Sequence, residues 1–83
     1  MKFLRMRPGY GEQLIAEGDV TVPAEHEALV EEFRRQLDGG MWAAVPTTTR
    51  TGRREAQMVQ TFEQIPHDSG RVIFFPRAAG GAW

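Results

Sequence analysis

The sequence predicts an α+β fold, in which a single helix packs on a mixed four- to five-stranded sheet in the order β-β-α-β-β-β. Three observations carry this expectation. Val72-Ile73-Phe74-Phe75 is an unbroken apolar run built only of β-branched and aromatic residues. A run this short is no buried helix, Gly70 and Pro76 punctuate it, and its lack of alternation implies an interior strand covered on both faces. Residues 23–37 carry a strong helical period. Finally, 83 residues leave room for one core, so the helix and the strands must share it.

In chain order, Lys2–Arg7 alternates and ends at Pro8-Gly9, as a first strand does, with its basic residues suited to a sheet edge. Tyr10 to Gln13 is turn-like. Leu14-Ile15-Ala16 and Val20-Thr21-Val22 are strand material split by Glu17-Gly18-Asp19. They predict either one bulged second strand or a tight hairpin of their own. The helix opens at Pro23, where a missing N–H costs nothing, with Glu25 and Glu27 in the first turns and Arg34 and Arg35 in the last. Ala28, Leu29, Phe33 and Leu37, flanked by Val30, form its apolar stripe, and Asp38-Gly39-Gly40 signals its end. Met41–Val45, stopped by Pro46, is the third strand. Residues 47–54, Thr47-Thr48-Thr49-Arg50-Thr51-Gly52-Arg53-Arg54, form an exposed hairpin loop. Ala56 to Ile65 suits a fourth strand, because Pro66-His67-Asp68-Ser69-Gly70 then turns into the interior strand. A second helix is the alternative, since Met58, Phe62 and Ile65 also fit a helical period. Residues 1–77 make one domain, and 78–83 form a flexible tail of small residues ending in Trp83.

Composition narrows function by exclusion. The absence of cysteine removes disulfides, thiolate nucleophiles and Cys-ligated metals. No signal-peptide core and no membrane-length apolar run is present, which points to a soluble cytoplasmic protein. A net charge of −1 gives no global attraction to nucleic acid or anionic membrane. The charge is unevenly spread: residues 12–38 carry eight acids against Arg34 and Arg35, a balance of −6. Lys2, Arg5 and Arg7, and later Arg50, Arg53 and Arg54, offset it, so the folded molecule should be polarised.

The ending Val72-Ile73-Phe74-Phe75-Pro76-Arg77-Ala78-Ala79-Gly80-Gly81 resembles that of the β-grasp folds of ubiquitin and of the MoaD and ThiS sulfur carriers. There a final apolar strand leads to a diglycine whose carboxylate an adenylating enzyme activates. The element order is similar too. The resemblance implies a β-grasp-like fold and a carrier or modifier role, with Gly81 as the activated residue and Gly80 as the flexible approach to it. This chain departs from the pattern in continuing through Ala82 and Trp83, which would have to be removed, and in its longer, more basic loop before the fourth strand.

Other candidates rest on the residues alone. Arg50, Arg53 and Arg54 offer guanidinium groups to phosphates, with threonine hydroxyls as further donors. The plainer reading is a solvated loop, in keeping with the absence of a basic footprint. His26 and His67 stand apart with no ligand spacing, so no metal and no cofactor is implied. His26 reads as part of a solvated helix face. Trp42 belongs to the core or its rim, and Trp83 either folds back or docks on a partner. No catalytic constellation stands out. The expected function is a small non-catalytic protein-interaction domain. The alternative is a nucleic-acid-associated or phage or mobile-element assembly accessory protein using the arginine-rich loop, or one that assembles through an exposed sheet edge.

Overall fold

The computed structural model describes residues 1–7 and 9–77. Pro8, the Gly80-Gly81 pair, Ala82, Trp83 and the expected tail lie outside the described residues. One helix, α1 (Pro23–Asp38), packs on a five-stranded mixed sheet of β1 (Lys2–Arg7), β2 (Gly11–Glu17), β3 (Met41–Thr48), β4 (Arg54–Val59) and β5 (Arg71–Pro76). The spatial order is β2-β1-β5-β3-β4. Neighbours are antiparallel except β1 and β5, which run parallel. This arrangement is compatible with a β-grasp-like fold. No described helix is long and apolar enough to cross a membrane.

The apolar run lies at the centre, as its composition predicts. Val72 and Phe74 are fully buried and face the helix. Ile73 and Phe75 point to the other side and are only half-buried. The expectation of cover on both faces is therefore corrected: a layer covers one face, and on the other the strands of the sheet shield one another. β1 is likewise not an edge strand, because β2 and β5 flank it.

The core is aromatic. Phe3, Phe33 and Phe74 pack with ring centroids 5.1–6.5 Å apart, and Phe62 joins Phe33 edge-on at 6.1 Å. Such pairs add about 0.5–1.5 kcal/mol each beyond the area they bury. Leu29 and Phe33 are the buried pair of the helix, with Val30 and Leu37 flanking them. Ala28, expected in the stripe, faces solvent.

Local chemistry explains the boundaries. Val20–Val22 is not a strand. Thr21 donates both its N–H and its hydroxyl to Asp19 Oδ1, at 2.9 and 2.6 Å, and the Asp19 N–H reaches Glu25 Oε1 at 3.0 Å. The Asp19 turn thus delivers the chain to Pro23, and the Thr21 hydroxyl and N–H hold the Asp19 carboxyl below its usual range. β2 is bulged: Phe3 faces Ala16 and Leu4 faces Leu14, so Ile15 is the extra residue. The bulge lets Ile15 and Ala16 both pack against the core while Leu14 points away. At the end of α1, Gly40 and not Gly39 takes the positive φ, +92°.

β3 runs through Pro46 rather than stopping before it. The Thr49 N–H donates to the Arg53 carbonyl at 2.9 Å, and the Arg77 N–H donates to the Gly40 carbonyl at 3.1 Å. Antiparallel ladders alternate, so odd-numbered residues of β3 turn their backbone groups to β4 and even-numbered ones to β5. Pro46 faces the β5 side, where pairing has already ended at Ala44–Ile73, so its missing N–H breaks no bond.

The Ala56–Ile65 segment divides. Strand β4 ends at Val59, and Phe62–Gln64 is one 3₁₀ turn fixed by a capping box between Thr61 and Gln64. The turn drops Phe62 and Ile65 into the core.

Candidate functional site

The sheet face away from the helix is the most distinctive surface. Register places Leu14, Leu4, Ile73, Ala44 and Met58 side by side in one row across all five strands. A second, shorter row holds Trp42 against Phe75, with Met6 two residues beyond Leu4. Trp42 and Phe75 meet edge-on at 6.1 Å. Although no described layer covers this face, Leu14 is 50% exposed, Met58 48%, Trp42 45% and Met6 41%. Trp42 is thus a surface residue of the open face rather than part of the core.

Period-2 alternation puts Lys2, Arg71 and Arg54 on the same face, with Glu12 and Glu17 as its acids. Arg71 Nη1 lies 3.8 Å from Glu12 Oε2, spanning the surface above Leu4. The helix is net acidic, with Glu25, Glu27, Glu31 and Asp38 exposed against Arg34 and Arg35. The polarisation expected from the sequence is thus partial: the helix is net acidic, and the open face mixes three cations with two acids around its apolar rows.

The arginine cluster is split. Arg54 begins β4, while Arg50 and Arg53 sit in the five-residue connection 49–53, which Gly52 turns at φ +82°. Of the threonine hydroxyls offered as phosphate donors, those of Thr49 and Thr51 are engaged in the loop itself. Thr49 Oγ1 accepts the Arg53 N–H at 3.0 Å and shares a 3.0 Å hydrogen bond with the Thr51 hydroxyl. Among the described residues, ion pairs join Arg35 to Glu32 and Arg71 to Glu12, and none involves these three arginines.

His26 is half-buried with its ring edge-on to Phe62 at 5.1 Å, so it is a packing residue and not part of a solvated face. His67 is exposed in the turn before β5. No group of three metal-ligating side chains occurs among the described residues. The diglycine pair assigned to the carrier role lies outside them.

The open-face rows escaped the sequence pattern. Their members come from five segments, and only the pairing register aligns them. The available signal was the number of apolar residues at alternate strand positions, more than one helix can cover. Comparison of the chain with protein families, curated proteins and solved structures finds no match.

Proposed function

We propose that this chain is a small non-catalytic protein-interaction domain of β-grasp-like architecture, and that it docks a protein on the open face of its sheet. The observation that carries the reading is the apolar row from Leu14 to Met58, left uncovered beside Trp42 and Met6. Contiguous exposed apolar surface with a polar rim marks interaction sites. The rim here sets Lys2, Arg71 and Arg54 against Glu17 and Glu12, with Arg71 already paired to Glu12, so the partner presents apolar side chains with a carboxylate for the Arg54 side. A photo-crosslinking residue at position 14 should capture one defined protein, and the purified pair should lose binding with Leu14→Glu or Met6→Glu. Crosslinks that arise equally from position 27 on the helix would contradict the reading.

The carrier role is the narrower version. It is supported by the strand order and by the parallel β1–β5 pair. It requires processing after Gly81 and adenylation of the new carboxylate. An active purified form that retains Ala82-Trp83 by intact mass would exclude it. The nucleic-acid alternative has less support, because Thr49 and Thr51 are already engaged. If it holds, Arg50, Arg53 and Arg54 to Ala removes a salt-sensitive affinity for single or double strands.

A further inference from the structure

We infer that the free edge of β4, together with the groove at its far end, is a second binding site, one that takes an extended acidic peptide as an added antiparallel strand. The two outer strands of the sheet are unlike. β2 is interrupted by the Ile15 bulge, a device that spoils an edge for further pairing. β4 keeps an unbroken register with β3 from Ala43–Val59 to Thr48–Arg54 and contains neither bulge nor proline. Ladder alternation turns the backbone groups of Glu55, Gln57 and Val59 towards β3. Those of Arg54, Ala56 and Met58 face the open edge, and among the described residues β4 pairs with β3 alone. This is the hydrogen-bonding template that strand addition uses.

The ends of the edge select the side chains. β3 begins at Met41 but its pairing with β4 starts only at Ala43, so Met41 and Trp42 run past the end of the neighbouring strand. A groove of about 570 Å³ opens there, lined by Leu37, Met41, Trp42, Met58, Val59 and Arg77 among others. It suits a bulky apolar side chain. At the other end stand Arg50, Arg53 and Arg54, roughly 17 Å away at about 3.4 Å per residue along the strand. Charge complementarity therefore asks for carboxylates there. An antiparallel partner enters with its apolar residue at the Val59 end and leaves with its acids at the Arg54 end.

The test is an NMR titration of the full chain with the synthetic peptide Ac-Phe-Thr-Val-Thr-Asp-Glu-Asp-NH2. The site is right if the amides of Arg54, Ala56 and Met58 shift saturably and a peptide with lysines in place of its acids binds at least about tenfold more weakly. Ala56→Pro removes an N–H that faces the open edge and no ladder bond, and should weaken binding at least about tenfold. Should that variant lose its fold, Arg54→Glu gives the same reading through charge, again with at least about a tenfold loss. The inference is overturned if shifts map elsewhere or fail to saturate. It is also overturned if the edge is already occupied. A second copy would show as a concentration-dependent dimer abolished by Ala56→Pro, and the chain beyond Arg77 would show as β4 amides that move on Trp83→Ala without peptide. The open-face site and this one share Trp42, Met58 and Arg54, and Leu14→Glu tells them apart: Leu14 on β2 is four strands from β4, about 19 Å at roughly 4.8 Å each, so that variant abolishes open-face docking and leaves peptide binding at the edge unchanged.

Discussion

Phe74 and Phe75 are neighbours in one strand and lie in different worlds. Phe74 is sealed under α1 among Phe3 and Phe33, whereas Phe75 leans on Trp42 at the open surface. The same contrast divides the two faces of the sheet. On the covered face apolar identity serves packing, and losing a side chain there should unfold the protein. The open face also carries large apolar residues but has a charged border and half-exposed side chains, so its residues answer to something other than the core. Hydrophobicity alone does not tell these roles apart. The position of the single helix does.

The largest expected effect is Phe74→Asp, which places an unpaired carboxylate where nothing can solvate it. Circular dichroism should find no cooperative melt. Next comes the pair Phe74→Ala and Phe75→Ala. Chemical denaturation should show about 3–5 kcal/mol lost for the first, and roughly 1–2 for the second because it opens no closed cavity. A gap below about 1 kcal/mol would break the contrast, since it would mean that the open face is packed like a core. Gly40→Ala forces a side chain into the left-handed region at the end of the helix and should cost about 1–2 kcal/mol, read by the same denaturation. Leu14→Glu should change stability by no more than about 0.5 kcal/mol while abolishing partner binding, which separates surface function from folding.

The smallest effect is a pH dependence. Folding lowers the Asp19 carboxyl, chiefly through the Thr21 hydroxyl and then the Thr21 N–H. A group depressed in the folded state contributes stability above its unfolded value near pH 4, and loses it as the pH falls through the folded one. Asp19→Asn should therefore flatten the acid side of the stability profile slightly. An unchanged slope below about pH 4 would show that the turn contributes nothing.

Much of this architecture can be read from the residues. The helix from Pro23 and the central strand at Val72–Phe75 follow from periodicity and punctuation that act locally, whereas the bulge lies at Ile15 and not at Glu17-Gly18-Asp19, because only pairing with β1 sets it. Other features depend on partners distant in the chain. Pro46 ends a strand by every local rule, yet its strand continues because β5 has already stopped pairing alongside it. Ala28 fits the helical stripe but sits to one side of the arc centred on Leu29 and Phe33, and it is exposed. Met58 and Phe62 satisfy two periods at once, and the Thr61–Gln64 capping box decides between them. The open face was least legible, because a row drawn from five strands exists only after the register is set. The diglycine analogy came from a local motif and lies outside the described residues.

The parallel contact of β1 with β5, where Lys2 meets Arg71, has a kinetic consequence. The middle of the sheet joins segments almost a full chain length apart, so the closing pair forms only after β5 has been synthesised. Until then Phe3 and Leu4 lack their inner neighbour, and β1 is itself a bare margin. Folding should fall among the slower small mixed domains, whose loop-closure entropy is spent before the distant contacts repay it. A nascent chain halted before residue 71 should be captured by chaperones that release the finished one.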